Sequence, residues 1–175
     1  CALPIWEVRK PLFVFTPKSL LRSKYAQSTI GALTNGTFEE LLDDPRLDEA
    51  AAARVRKVVI CTGKIGYAMM QARDEADAPL AVLRAEQLYP WPEAALAAAL
   101  RRYSNARDLI WLQEEPENMG AWNFVKGRLY ERHGDNYSVT RVSRHESGSP
   151  ATGSLKIHQQ EEAELIASEI GRAHV

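Results

Sequence analysis

The clearest hydrophobic pattern in the chain lies at residues 57–69. Four apolar side chains run together at residues 58–61, a length and composition typical of a strand buried on both faces. Gly63 then interrupts the run, and Ile65, Ala68 and Met69 follow at helical spacing. A strand, a short glycine turn and a helix form the repeating unit of an open α/β sheet, in which ligands bind at the carboxyl ends of the strands.

Lys64 lies at that turn, where a helix amino terminus offers unpaired N–H groups to an anion. One lysine beside one glycine is a weak phosphate signal. A solvated lysine is therefore the simpler interpretation, and an anion site is the alternative.

The same alternation of apolar strands and amphipathic helices continues on both sides. Further strands are predicted at residues 10–15, 80–83, 108–113 and 137–142, the last with the mixed polarity of an edge strand. Helices are predicted at residues 18–25, 64–73, 94–103, 118–133 and 155–166. Residues 27–54 show no clear period and are interpreted as a surface connection with some local packing, not as an active site. The pattern predicts a three-layer α/β fold, a mostly parallel sheet with helices on both faces.

Composition and charge argue against some classes of function and do not change the predicted fold. The 175 residues suffice for one domain, and a net charge of −1 gives no indication of binding to nucleic acid or to an anionic membrane. No apolar run approaches the roughly 20 residues of a membrane span, which favours a soluble protein. Two cysteines provide no disulfide framework, so a reducing, cytoplasmic location is expected.

The two ends of the chain differ in character from the rest. Residues 1–5 and 169–175 are interpreted as non-native flanks, which are left out of the fold assignment. Residues 6–168 are then predicted to be one domain of a longer gene product.

Glutamates at the predicted strand ends are the first candidates for catalysis. Adjacent strand residues point to opposite faces, so Glu114 and Glu115 cannot face one another. Glu86 and Glu114 approach each other if their strands are neighbours. Hydrogen bonding to loop N–H groups or to Arg84 is the simpler role for these carboxylates.

The histidines give no stronger signal. His145 and His158 flank a loop rich in serine, glycine and proline, and neither has a nucleophile or a second ligand at metal spacing. We therefore predict no catalytic and no metal-binding residues within this chain.

Five separated segments nevertheless occur together in a characteristic order: KPLFVFTPKSLLR (residues 10–22), CTGKIGY (61–67), AVLRAEQLYPWP (81–92), LIWLQEEPENMGAW (109–122) and SPATGSLKIHQQEEAELI (149–166). Together they resemble the C-terminal region of 2-oxoglutarate dehydrogenase, the thiamine diphosphate-dependent decarboxylating component, over about residues 9–168. The tail is also similar to the actinobacterial multifunctional 2-oxoglutarate decarboxylase.

This resemblance implies a transketolase C-terminal-like domain of an oxidoreductase of the tricarboxylic acid cycle. The family decarboxylates 2-oxoglutarate on thiamine diphosphate with Mg²⁺. It passes the succinyl group to a lipoyl-bearing succinyltransferase component and onward to coenzyme A. Its catalytic and cofactor-binding residues lie mainly in the preceding domains, so the chain alone is expected to be inactive. The domain helps to form the homodimer, and in the actinobacterial form this region binds acetyl-CoA as an activator.

Basic residues near strand ends provide a candidate site for that activator. Acetyl-CoA carries several phosphate charges, and Lys18, Arg22 and Lys64 follow the carboxyl ends of predicted strands, where helix amino termini favour anions. Arg107 and Arg144 are further candidates near neighbouring strand ends. These five residues form the predicted acetyl-CoA or anion site.

Two other interpretations stay open. One is a stand-alone nucleotide- or CoA-binding module, which a genuine start codon near Trp6 would favour. The other is the equivalent domain of another thiamine enzyme, such as transketolase or pyruvate dehydrogenase, although TPKSLLR and SPATGS favour the 2-oxoglutarate branch. For a domain of a larger enzyme we expect an exposed apolar patch where the preceding domains or a second subunit pack.

Overall fold

A five-stranded sheet organises the described part of the chain. The computed structural model describes Pro11, Phe13 and residues 18–171, so most of the strand predicted at residues 10–15 lies outside the described residues. The strands are β1 (Leu41–Leu42), β2 (Lys57–Cys61), β3 (Leu80–Ala85), β4 (Asp108–Pro116) and β5 (Ser138–Arg144). Their spatial order is β1-β3-β2-β4-β5; β1 is antiparallel to β3, and the other three pairs are parallel. The predicted, mostly parallel α/β architecture is confirmed.

The described helices are α1 (Ile30–Asn35), α2 (Glu49–Arg54), α3 (Ile65–Ala76), α4 (Glu93–Arg102), α5 (Trp122–His133) and α6 (Leu155–Gly171). The helix predicted at residues 18–25 forms instead as two 3-10 turns, Lys18–Arg22 and Lys24–Ala26. Ser23 accounts for the break, because its hydroxyl accepts the N–H of Tyr25 at 3.3 Å and competes with helical hydrogen bonding. Within residues 18–171, no helix combines the length and the apolar character that crossing a membrane requires.

Apolar side chains cover both faces of the sheet. On one face, Val58 and Ile60 belong to a cluster that includes the buried sides of α4 and α5. On the other face, Val59 and Cys61 belong to a second cluster with α3 and α6. All four of these β2 residues are fully buried, as predicted for a central parallel strand. Helices therefore lie on both faces of the sheet, which confirms the three layers.

The stretch at residues 27–54 contributes more to the core than a surface connection would. It contains β1, which forms the antiparallel edge beside β3. Asp44 follows β1 and is only 1% exposed; its carboxylate accepts from Nη1 of Arg73 at 2.6 Å and from the N–H of Val82 at 3.0 Å. Arg73 lies on α3 and is 3% exposed. This buried ion pair joins the edge of the sheet to α3 and β3, so the packing at this point extends beyond the local packing that was predicted.

Strand β4 continues three residues past its predicted end at Gln113, through a register shift between Leu112 and Pro116. The buried Gln113 side chain explains the shape of the following turn. Its Nε2 donates to the carbonyls of Pro116 at 3.0 Å and Met119 at 2.8 Å, and its Oε1 accepts the N–H of Trp122 at 3.0 Å. One amide thus fixes the turn that leads into α5.

Helix α6 also continues past its predicted end and reaches Gly171. Glu169 on this helix is buried, and its carboxylate lies 3.5 Å from Nζ of Lys57, which also donates to the Glu169 carbonyl at 3.3 Å. Residues 1–5 and 172–175 lie outside the described residues. The non-native origin of residues 1–5 and 169–175 stays a prediction.

Candidate functional site

The carboxyl ends of β2, β4 and β5 lie at one edge of the sheet, where side chains from these strand ends meet side chains from α6. Most of these side chains are charged, and all are partly buried. We call them the strand-end cluster: Lys64, Glu114, Arg144, His158, Glu161 and Glu162.

Lys64 is the centre of the strand-end cluster. Gly63 precedes it with a φ of 69°, a left-handed conformation that glycine adopts without strain and that ends the strand sharply. Nζ of Lys64 lies 2.7 Å from Oε1 of Glu114 and also donates to Glu162. Burial acts to lower the pKa of Lys64, but hydrogen bonds and charge from the two glutamates outweigh it and raise the pKa above its ordinary value. Lys64 is therefore charged at neutral pH and already paired.

Arg144, at the end of β5, makes the second connection to α6. Its Nη2 lies 2.7 Å from Nδ1 of His158, and its Nε lies 3.2 Å from Oε2 of Glu161. A guanidinium group only donates, so Nδ1 of His158 is the acceptor in this contact. His158 is thus a hydrogen-bonded residue, which is the ordinary role of a lone histidine.

Three members of the cluster have the donor chemistry of a metal site. One ligand atom each from Glu114, His158 and Glu162 lies within 4.8 Å of the others. The ammonium group of Lys64, however, contacts the carboxylates of Glu114 and Glu162, so a cation already neutralises them. The arrangement is chemically a set of ion pairs that attaches α6 to the strand ends.

The structure brings together only part of the predicted anion site. Arg22 and Lys64 line one shallow recess of about 410 Å³ between the 3-10 turns and α3, together with Lys24. Lys18 is exposed on the first 3-10 turn. Arg144 belongs to the strand-end cluster and is paired there with a glutamate.

Arg107 lies at the opposite edge of the sheet, so the prediction that it joins the other cations is wrong. It immediately precedes β4, and its N–H donates to the carbonyl of Arg56, next to the start of β2, at 2.9 Å. Strand β2 has five residues, which separates its two ends by roughly 16 Å. The guanidinium of Arg107 donates locally to the carbonyls of Ser104 and Ala106. The sequence reasoning did not separate the amino ends of strands from their carboxyl ends.

The glutamate pair considered from the sequence does not form. Strand β2 lies between β3 and β4, so Glu86 and Glu114 are not on neighbouring strands. Glu86 instead lies 3.8 Å from Arg84, as the simpler interpretation expected. The Arg84 guanidinium in turn lies 4.4 Å from the ring centroid of Tyr67.

Sequence reasoning missed a larger recess of about 750 Å³ between β5, the loop at residues 145–152 and α6. Its polar walls include Arg141, which pairs with Glu117 at 2.6 Å, and the hydroxyl-bearing Ser147 and Thr152. The walls come from three segments that are separated in the sequence, residues 116–117, 141–152 and 161–168. The serine-, glycine- and proline-rich composition of the loop was the one local signal of this surface.

Comparisons with known proteins agree with the family resemblance seen in the sequence. Residues 27–170 match a family model described as 2-oxoglutarate dehydrogenase C-terminal. The chain is 42% identical over 159 residues to the 2-oxoglutarate dehydrogenase E1 component of Cupriavidus necator, covering 90% of the chain and 16% of the relative. It is 38% identical over 169 residues to the E1 component of Rickettsia felis, covering 94% and 17%. It is also 38% identical over 160 residues to the oxoglutarate dehydrogenase of Buchnera aphidicola, covering 91% and 17%. The chain therefore spans only 16–17% of the length of these relatives.

Proposed function

Because the chain belongs to the family of 2-oxoglutarate dehydrogenase C-terminal domains, we propose that it acts as such a domain within a thiamine diphosphate-dependent enzyme. The enzyme decarboxylates 2-oxoglutarate, with thiamine diphosphate and Mg²⁺ bound by the preceding domains. It transfers the succinyl group to the lipoyl group of a succinyltransferase component, in the cytoplasm and as a step of the tricarboxylic acid cycle. The observation that carries the proposal is the 38–42% identity to E1 components over at least 90% of the chain.

The part of this chain in the proposed enzyme is structural. The three glutamates of the strand-end cluster, Glu114, Glu161 and Glu162, are engaged by Lys64 and Arg144, which supports attachment of α6 rather than proton transfer. A general acid or base must reach a substrate proton, and a carboxylate held in such ion pairs is poorly suited to that role. The isolated chain is therefore inactive, and the whole enzyme is a homodimer to which this domain contributes.

The test uses the complete gene product and the 175-residue chain side by side. With thiamine diphosphate and Mg²⁺, the complete product should consume 2-oxoglutarate in preference to pyruvate, and the chain alone should consume neither. Sedimentation of the complete product should give a dimer. Turnover of pyruvate or of a ketose phosphate without turnover of 2-oxoglutarate would assign the domain to another thiamine enzyme. A gene that starts near Trp6 would favour the stand-alone module instead.

A second candidate function, binding of acetyl-CoA as an activator, is supported by two unengaged cations. Lys18 and Arg22 are exposed and, within residues 18–171, have no carboxylate at ion-pair distance. Lys64 and Arg144 contribute only if they leave their glutamates, so this proposal rests on the first two residues.

Isothermal titration of the intact protein with acetyl-CoA tests this second proposal. The Lys18→Ala/Arg22→Ala variant should bind at least about 10-fold more weakly, since each substitution removes a charge-assisted hydrogen bond to a phosphate group. Arg107→Ala, at the opposite edge of the sheet, is the matched control and should bind normally. An unchanged affinity in the double variant would remove the site.

A further inference from the structure

Residues 27–40, which we call the α1 segment, are exposed along their whole length. The chain is anchored on both sides of the segment. Before it, the hydroxyl of Tyr25 donates to Asp74 at 3.2 Å. After it, Leu41 is buried and pairs with Ala85 in the sheet. The segment therefore projects from a well-packed domain without contributing to the core of that domain.

Helix α1 presents apolar side chains to the outside. Ile30 is 79% exposed, Leu33 is 77% exposed, and Phe38, just beyond the helix, is 69% exposed. Ile30 and Leu33 are three residues apart and so share one face of the helix. The helix has six residues and a Thr29 cap that accepts the N–H of Ala32 at 3.1 Å. Isolated helices this short are marginal in water, so packing against another surface is needed to stabilise α1.

The composition of the α1 segment is that of an interface. Residues 27–38 contain no charged side chain, although 26% of the whole chain is charged. Depletion of charge with retention of large apolar side chains distinguishes the buried centre of an interface from ordinary surface.

We propose that the α1 segment docks on the part of the same polypeptide that precedes this domain. The inference rests on the proposed function, in which the chain is a C-terminal domain. Relatives of that kind are about six times longer than the matched region, which is 16–17% of their length. The preceding polypeptide enters through residues 18–26, directly before the segment. A surface tethered at so short a distance has a high effective concentration, whereas a second copy must be recruited from solution.

Residues before the α1 segment also expose large apolar side chains. Phe13 is 80% exposed and Leu21 is 79% exposed. Apolar side chains thus continue from the incoming chain to α1, as expected if both are covered by the same preceding domain.

Photo-cross-linking in the complete gene product tests the occupant. p-Benzoyl-phenylalanine replaces Leu33 in one preparation and Leu155, which is 72% exposed, in the matched control. We expect the probe at position 33 to cross-link within the chain, giving a product of monomer mass on a denaturing gel whose cross-linked peptide lies upstream of this domain. The probe at position 155 should give at least 10-fold less of that product. A product of doubled mass would identify a second copy and overturn the proposal, as would the absence of any cross-link at position 33.

A second measurement separates docking from damage to the fold. Ile30→Asp/Leu33→Asp should increase amide hydrogen exchange of the α1 segment at least 10-fold in the complete product and leave exchange in β2 unchanged, whereas Leu155→Asp should change neither. Unchanged exchange in the double variant would overturn the proposal. Turnover of 2-oxoglutarate by the unmodified complete product is measured in parallel. If the unmodified complete product does not turn over 2-oxoglutarate although the upstream cross-link forms, the result counts against the proposed function and not against the docking.

Discussion

The buried pair of Asp44 and Arg73 offers the sharpest test of the fold. The two side chains are 0% and 4% exposed, respectively. Asp44→Ala removes the carboxylate that accepts from Nη1 of Arg73 and from the N–H of Val82. Burial acts to lower the pKa of Arg73, but hydrogen bonds and charge from Asp44 and Asp74 outweigh burial and raise that pKa. A guanidinium group is always protonated in proteins, so Arg73 stays charged after the substitution and its charge is left poorly compensated.

The magnitude follows from the groups that lose their partners. Breaking a buried ion pair by removing one partner costs about 3–5 kcal/mol. Nε of Arg73 keeps Asp74 at 2.7 Å and Nη1 keeps the carbonyl of Leu80 at 3.1 Å, which favours the lower end of that range. Asp44→Asn retains one carbonyl acceptor and should cost less, about 1–3 kcal/mol.

Urea denaturation followed by circular dichroism, with linear extrapolation of the free energy of unfolding, measures the effect. Arg54→Ala is the matched control, because Arg54 pairs with Asp77 at 3.7 Å while the two side chains are 68% and 86% exposed. An exposed pair of this kind contributes about 0–1 kcal/mol. The double variant Asp44→Ala/Arg73→Met should recover part of the loss, since it leaves no buried charge.

A loss below about 1 kcal/mol for Asp44→Ala, equal to that for Arg54→Ala, would show that the carboxylate is not desolvated in the folded protein. No recovery in the double variant would show that the loss comes from the Val82 N–H or from packing rather than from the charge of Arg73.

Three further outcomes test other parts of the structure. Gly120→Ala should destabilise the folded protein by about 1–3 kcal/mol, because Gly120 has a φ of +67° and an added Cβ would lie 3.0 Å from neighbouring side chains. Gly127→Ala, inside α5 with open space around it, should stabilise the folded protein by about 0.5–1 kcal/mol. Equal urea midpoints for the two variants and the unmodified protein would contradict both predictions. Burial raises the pKa of Cys61 to about 12, so in a Cys1→Ser variant this thiol should resist alkylation at pH 8 until urea unfolds the chain; rapid native labelling would refute its burial. Lys64→Met should lower the free energy of unfolding by about 1.5–3 kcal/mol at pH 8. Because the pKa of Lys64 is raised in the folded protein, the stabilisation by Lys64 is complete below its unfolded pKa of about 10.4 and disappears as the pH rises through its folded pKa. A stability difference between the variant and the unmodified protein that stays constant above about pH 10 would count against the pairing.

Local patterns were sufficient to predict the sheet and its connecting helices. The run at residues 58–61 needed no distant information, because four successive apolar residues suit a strand covered on both sides. The helix predicted at residues 94–103 forms as α4 at Glu93–Arg102, directly after a proline that suits a helix start. Asp44 was beyond such reasoning, because its burial depends on Arg73, 29 residues away, and an aspartate before a proline has the local pattern of a turn.

The candidate site shows the same division between local and distant information. The sequence correctly predicted that Lys64 and Arg144 lie near the carboxyl ends of strands: Lys64 lies three residues after β2, and Arg144 is the last residue of β5. It gave no sign of their partners: Glu162 is 98 residues from Lys64, and in the sequence Glu161 and Glu162 have the pattern of solvated residues on a closing helix. Charge at a strand end can be predicted from the sequence. Whether that charge is free depends on which helix the fold places against it.

The ion pairs between α6 and the carboxyl ends of the strands bear on the role of the domain. In an open α/β sheet, the carboxyl ends of the strands usually form the crevice that binds a ligand. Here Glu161 and Glu162 of α6 pair with Arg144 and Lys64 at these ends, so the helix covers part of this edge beside the recess of about 750 Å³. Residues 27–38 of the α1 segment, in contrast, carry no charged side chain and expose Ile30, Leu33 and Phe38. A domain that pairs the charged groups at its strand ends with its own helix and exposes an apolar segment is suited to supporting other domains, which is the role that we propose for it.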